Sequence, residues 1–428
     1  MTKKLVAYDR SHMKIGLKPA ELKSAFRSLA SQKQRGELGF LAIPELKKEL
    51  AETERLAREL RKKHKTLVVI GIGGSDLGAR TLIQALRKRG EGMMAVRFIG
   101  ANTDPEEIAD LLAELDWKTT VLNVVSKSGG TLEPMGVFLL LRDRLVKAVG
   151  AKKAAARIVA TTDRKGGALR TIAEREGYRT LPVPGAVGGR FSVLTPVGLF
   201  PAACAGISIR RLVRGAKAEF EAFFEEKDPV RNGPLAFAGL QHQAYRSGQG
   251  RMAVLMPYAA RLERFGKWFV QLWGESLGKA RDRQGKTVNA GQTPIAALGA
   301  TDQHSQIQLY NEGPFDKTVT FIGVERFRAE LSVPKAFADL PEIAYLGGHR
   351  FGDILNIERR ATAEALFRHG RPNGTVMIEK ITPETVGALM AFFMLATAAM
   401  GELLDVNAYD QPGVEEGKRI IGRMMGKG

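Results

Sequence analysis

Hydrophobic and polar positions change rhythm along this chain. Through residues 1–62 apolar side chains recur at helical spacing among many charges, over 20–31 and again over 43–63, which predicts helices. From residue 66 short unbroken apolar runs take over, at 66–70, 121–125, 157–160 and 178–183. Between them lie longer segments of helical period, such as Leu132–Val149 and Ala168–Glu176. Unbroken apolar strands alternating with helices predict a parallel sheet covered on both faces. A charged stretch, 216–233, reads as a surface helix and connector. Beyond it the alternation restarts, with runs at 252–256, 295–298, 318–324 and 374–378.

The fold class predicted from this pattern is α/β. It comprises two domains, each a parallel sheet sandwiched by helices, with N-terminal helices and a C-terminal helix over 415–425. The boundaries follow the changes of rhythm: an N-terminal helical segment at 1–62, a first domain at 63–225 and a second at 226–428. The longest uncharged apolar stretch, 386–401, is shorter than the ~20 residues of a membrane span. Thr382-Pro383-Glu384 in front of it reads as a helix start, so a buried core helix is expected, with no membrane partner.

Two loops carry candidate chemistry. The first apolar run stops at Gly71-Ile72-Gly73-Gly74-Ser75-Asp76-Leu77-Gly78, and the second at Ser126-Lys127-Ser128-Gly129-Gly130-Thr131. A strand that ends in Gly and Ser before a helix builds an anion site. Glycine lets the backbone approach, amide N–H groups point outward, and the helix N-terminus favours negative charge. The first loop is not a dinucleotide fingerprint, because Asp76 stands where the spacing from Gly71 needs glycine. No Gly-Lys-Ser/Thr closes it, so it is not a P-loop either. Hydroxyls and amides without those elements suit a compact monophosphate.

Composition narrows the classes. A net charge of +19 raises nucleic acid as a partner. The lysines and arginines are, however, spread along the chain, with no RNP, zinc-finger or aromatic-interleaved basic motif. Nucleic acid is therefore not expected. The bland reading is a basic enzyme whose field attracts anionic substrates. The single cysteine, Cys204, sits among Pro201, Ala202, Ala203 and Ala205, which fits an inert core thiol in a reducing compartment. The N-terminus has no apolar leader region, and a cytoplasmic location is expected. Six scattered histidines show no metal-ligand spacing, so no metal is expected.

Further along, Gln271, Glu275 and Lys279 stand at i, i+4 and i+8 of a helical pattern and share one face. The bland reading is a surface Glu–Lys pair. Against it stand Gly274, Gly278 and Trp273, poor choices for an exposed helix, and small residues beside a carboxylate admit a ligand. His304, in the polar run 300–306, follows an apolar strand, and open α/β sheets bind ligands at their strand C-ends. Arg190, behind Gly188 and Gly189, can reach into a cleft as a fixed cation, or can equally be a turn arginine. Lys418 by itself reads as a solvated charge.

Together these segments resemble the glucose-6-phosphate isomerase family. The two loops are joined by Gly188-Gly189-Arg190-Phe191-Ser192, Gly274-Glu275-Ser276, Gln303-His304-Ser305 and Asp410-Gln411-Pro412-Gly413-Val414-Glu415, in the family's order from 71 to 418. The resemblance implies two sugar-isomerase (SIS) domains and reversible conversion of glucose 6-phosphate to fructose 6-phosphate. It also implies a homodimer in which each active site takes one histidine from the partner chain, and it implies no cofactor. Carried onto this sequence, the phosphate sits among Gly74, Ser75, Ser126, Lys127, Ser128 and Thr131. Glu275 is the base that moves a proton between C1 and C2. Arg190 stabilises the enediolate, and His304 and Lys418 handle ring opening. Gln271 and Gln411 contact substrate. The chain departs from the family at Gly129-Gly130, where a hydroxyl residue is usual and a looser phosphate grip is expected. It departs also at Ala300-Thr301-Asp302, at Trp273-Gly274 and in its strong basicity. A bifunctional phosphoglucose/phosphomannose isomerase and a non-catalytic sugar-phosphate-sensing SIS protein are the alternatives. The second of these does not require Arg190, Glu275, His304 and Lys418 together.

Overall fold

The computed structural model describes residues 4–87 and 92–426. The first sheet holds β2 (Thr66–Ile70), β3 (Ala95–Ile99), β4 (Thr120–Val125), β5 (Ile158–Thr162) and β6 (Arg179–Pro182). They run in the order β3-β2-β4-β5-β6, and all pairs are parallel. The second sheet holds β1 (Val6–Asp9), β7 (Met252–Pro257), β10 (Thr293–Ala296), β11 (Lys317–Val324) and β12 (Asn373–Ile378), in the order β1-β12-β11-β7-β10. A ribbon of β8 (Lys279–Arg281) and β9 (Thr287–Ala290) stands apart.

The unbroken apolar runs are explained by burial on both faces. Successive strand residues point to opposite sides. Leu67, Val69, Val121, Val125, Val159 and Leu181 face a core shared with the second sheet. Their neighbours Val68, Ile70, Leu122, Val124, Ile158 and Ala160 face an outer layer of helices, among them Leu132–Val149 and Ala168–Glu176. In the second sheet Ala253, Leu255, Ile322 and Val376 point to the shared core, and Val254, Met256, Val319 and Phe321 point outward.

The structure departs from the sequence expectation at three places. The N-terminal segment is not only helical. Besides its helices (Pro19–Gln34 and Lys47–Arg61) it contains β1, an antiparallel edge strand pairing Tyr8 with Val376. The second sheet is therefore mixed, and the segment 1–62, of which residues 1–3 lie outside the described residues, contributes to it. Strand β3 escaped the apolar count because Arg97 interrupts an edge strand. The stretch 216–233 is a connector only over residues 226–232, and before that it is the second half of a helix with a buried face. Helix Ile209–Glu225 buries Leu212, Ala216, Phe220 and Phe223 and packs along the helix Pro383–Leu403, and its charges lie on the outer face except for the buried Glu219. Helix Pro383–Leu403 begins at a capping box of Thr382 and Thr385 and lies in the shared core, 89% buried over its most apolar window. Its length and apolarity suffice for a membrane span, but its residues are covered by protein.

Candidate active site

In the first sheet the chain proceeds from β2 outward to β3, then returns to place β4 on the other side of β2. That reversal opens a crevice at the C-terminal ends of β2 and β4, the usual ligand position in an open parallel sheet. Both Gly/Ser loops emerge there, and they line one cleft of about 1450 Å³ with Arg190, Gln271, Glu275, Gln411 and Lys418.

Glycines bring the loops to the chemistry. A Cβ on Gly74 would stand 2.2 Å from the carbonyl carbon of Gly189, so only glycine lets the Ser75 loop lie against the Arg190 segment. Ser75 closes a short 3-10 turn before the helix Leu77–Leu86, where the buried Asp76 binds Arg80 at 2.6 Å. In the second loop Ser126 Oγ accepts from Gly129 N at 3.0 Å and Ser128 Oγ from Gly130 N at 3.2 Å. Lys127 Nζ donates to Gly185 O at 2.8 Å across the cleft rim. Thr131 is the N-cap of helix Leu132–Val149 and makes no capping bond with its side chain, so its hydroxyl is open to a ligand at the positive end of the helix. Gly129 has φ 71°, and a Cβ there would meet Leu169 N at 2.1 Å. The fold itself thus demands glycine at 129, whereas a Cβ on Gly130 would have no atom nearer than 3.8 Å.

Arg190 is almost fully buried, with its side chain 1% exposed. Its Nε donates to Ser276 Oγ (2.7 Å), Nη2 to Ala408 O (2.7 Å) and Asp410 O (2.9 Å), and Nη1 to Gln411 Oε1. Nη1 also lies 3.5 Å from Glu275 Oε2. Burial pulls the Arg190 guanidinium below its ordinary range, and the charges of Glu275 and Asp410 oppose that pull. Glu275 projects from helix Glu263–Leu277, half-buried, and accepts from Gln271 Nε2 at 3.3 Å. The helical spacing of Gln271 and Glu275 therefore does put the two side chains together.

Other expectations resolve differently. Trp273 is core, donating to Gln292 Oε1 at 3.2 Å, and Gly274 makes room for Pro294 rather than for a ligand. Lys279 is not the outer half of a surface Glu–Lys pair. Its ammonium is buried and binds the backbone carbonyl of Glu275. Lys418, on the exposed helix Glu415–Met424, faces the cleft but pairs with Glu415 Oε1 at 2.7 Å. His304 ends a 3-10 turn beyond β10, in a loop fixed by Asp302, which accepts from Leu298 N and Ser305 Oγ, both at 2.7 Å. It is exposed and does not line the cleft of its own chain. Ser276 and Asp410, which hold Arg190, were not singled out from sequence. Their only signal was adjacency to Glu275 and Gln411. Among the described residues no group of three or more His, Cys, Asp or Glu side chains could hold a metal ion.

Comparison with known proteins identifies the family. The family model for phosphoglucose isomerase matches residues 48–427. The glucose-6-phosphate isomerase of Carboxydothermus hydrogenoformans is 44% identical over 412 residues, covering 94% of this chain and 88% of that one. Among solved structures, a hypothetical protein of Thermus thermophilus superposes with a TM-score of 0.89 at 36% identity, covering 98% of this chain and 99% of that one. A glucose-6-phosphate isomerase from Chlamydia trachomatis superposes with a TM-score of 0.78 at 26% identity, covering 89% and 73%. With the family model matched over residues 48–427 and a relative 44% identical over most of both chains, the chain belongs to the phosphoglucose isomerase family.

Proposed function

We propose that this cleft interconverts D-glucose 6-phosphate and D-fructose 6-phosphate by ring opening and proton transfer through a cis-enediol(ate), a step of glycolysis and gluconeogenesis. The observation that carries the reading is the convergence of Glu275 and the buried Arg190, 3.5 Å apart, on a cleft whose other wall is two Gly/Ser loops. The phosphate is held by Ser75, Ser126, Lys127, Ser128 and Thr131, with Gly74 admitting it to the backbone. That anchors C1 and C2 near the Glu275 carboxylate, which carries a proton from one carbon to the other. As the proton leaves, negative charge grows on the adjacent oxygen. Arg190, already desolvated and fixed by its acceptors, needs no reorganisation to meet it. Gln271 and Gln411 orient the hydroxyls. Lys418 and a histidine, His304, move the ring-opening proton between the ring oxygen and the C1 hydroxyl. No cofactor enters this chemistry.

The exposed position of His304 supports a homodimer with shared sites, in which the histidine is supplied by the partner chain. The exposed Leu331, Phe337, Leu340, Ile343, Tyr345 and Phe351, all within residues 331–351, are in keeping with a second copy as partner. A single, fully buried cysteine fits a cytoplasmic location.

The test supplies purified protein with fructose 6-phosphate and couples product to a glucose-6-phosphate dehydrogenase, with mannose 6-phosphate in parallel for the bifunctional alternative. Wild type turns over fructose 6-phosphate. Glu275→Gln, which keeps the shape and loses the base, binds substrate by calorimetry but does not turn it over. Turnover at the wild-type rate by that variant rules out Glu275 as the base.

A further inference from the structure

Lys279 lies outside the cleft, yet two of the cleft's walls end on its ammonium. It is the first residue of β8, directly after Gly278 closes the helix Glu263–Leu277 that carries Glu275. Its side chain is 6% exposed. Nζ donates to Glu275 O at 2.9 Å and to Asp410 O at 2.9 Å, and stands 3.5 Å from Asp410 Oδ1. The first acceptor is a last-turn carbonyl, one of those a helix end leaves without an N–H partner, and the helix dipole favours a cation there. The second belongs to the residue before Gln411 and is also the acceptor of Arg190 Nη2 at 2.9 Å.

We propose that Lys279 is a positioning residue for the isomerisation: by gripping Glu275 O and Asp410 O at once, it sets the separation between the base on one element and the Arg190–Gln411 pair on the other. The proposal rests on the site assignment above. The physical argument is one of alternatives. Two buried cations share one carbonyl here, and burial and the Arg190 charge both pull the Lys279 ammonium below its ordinary range, opposed by Asp410 and Glu275. For packing alone an apolar chain of similar length is as good or better, because a buried ion carries a desolvation penalty. What methionine cannot do is hold two carbonyls at a fixed distance. Without that grip, the hydrogen bonds that tie residues 407–411 to other elements come, among the described residues, from Arg190 alone, beside the packing of Ala408 and Tyr409, and Gln411 and the guanidinium drift relative to Glu275. The Gly/Ser loops, at the ends of β2 and β4, have no bond to Lys279.

Lys279→Met and Lys279→Arg are compared with wild type for kcat, KM and thermal midpoint, with fructose 6-phosphate as substrate. In Lys279→Met kcat falls about tenfold to a hundredfold, as expected of a small misplacement of reacting groups. KM changes less than about threefold, because substrate anchoring is untouched. The thermal midpoint is unchanged or raised, since a buried cation has been replaced by an apolar chain. Lys279→Arg, which can still donate to both carbonyls, recovers most of the lost kcat. Should Lys279→Met not fold, Lys279→Gln, which keeps an N–H donor without the charge, carries the same comparison. A kcat within about twofold of wild type overturns the proposal, and so does a loss of kcat that merely follows a fall in thermal midpoint. If wild type itself has no isomerase activity, the site assignment fails and not this inference.

Discussion

Arg190 is held through three of its nitrogens, by Ser276, Gln411, Ala408 and Asp410. A planar fork can meet acceptors in that many directions and an ammonium cannot. Arg190→Lys therefore keeps the charge and loses the placement. We expect kcat to fall by roughly 10²–10³, the usual effect of removing one preorganised donor to a developing oxyanion. Competition by inorganic phosphate against substrate should be little changed, because the phosphate loops remain. Comparing kcat with that inhibition constant checks the division of labour. Gly129 shows the opposite kind of residue, chosen by the fold. Its positive φ and the nearby Leu169 N leave no room for the hydroxyl side chain usual at this step, whereas a Cβ on Gly130 has no atom nearer than 3.8 Å. The fold therefore fixes glycine at 129 only, and position 130 has space for a hydroxyl side chain.

At the scale of elements, the helices Ile209–Glu225 and Pro383–Leu403 touch backbone to backbone. A Cβ on Gly215 would stand 1.9 Å from Glu384 O, and one on Gly387 2.0 Å from Leu212 O. Helix propensity alone favours Gly215→Ala by about 1 kcal/mol. The packing reverses the sign, because backbone on the facing helix must move away. Gly215→Ala is expected to lower the thermal midpoint, and a gain in stability would contradict the close approach. The same helix carries Glu219, whose carboxyl is pushed up by burial to about 8 from 4.5, with only the Lys4 charge opposing. Between those values the folded chain holds a proton that the unfolded chain has lost. Glu219 therefore destabilises the fold progressively as pH rises from 4.5 towards 8, by roughly 1 kcal/mol per unit, and no further beyond. Glu219→Gln should remove that slope, as urea denaturation at pH 5, 6, 7 and 8 would reveal.

For the whole molecule, the informative fact is where His304 is not. Arg190, Glu275, Gln271, Gln411 and Lys418 share a cleft, and His304 stands exposed elsewhere. If a partner chain supplies it, two inactive variants damage different halves of a site. Mixing Glu275→Gln with His304→Ala under conditions of subunit exchange should restore part of the activity, up to about a quarter of wild type if exchange is random and one intact site per mixed dimer works independently. Exchange proven by mass, without recovery, would count against a shared site.

The alternation of unbroken apolar runs with helical segments was enough to read the parallel strands of two sheets, because burial on both faces leaves few polar positions, such as Asn123 and Thr320, to interrupt them. The Gly/Ser loops were legible as candidate chemistry, since glycine and helix N-termini act locally, and the fold brings both to one cleft. Glu275 and Gln271 met because four residues is one helical turn. Three matters depended on chain segments far apart in sequence. An edge strand such as β1 is too short for a period to be read, and only its pairing with β12 defines it. The charged outer face of Ile209–Glu225 concealed a buried face, because burial depends on what packs against a helix. Lys279 looked like a surface charge until the fold brought Asp410, 131 positions further along, to its ammonium. Sequence determined which groups can do the chemistry, through local backbone geometry and side-chain type. Tertiary structure alone decided which charges lose their water, and with that which groups are held still enough to act.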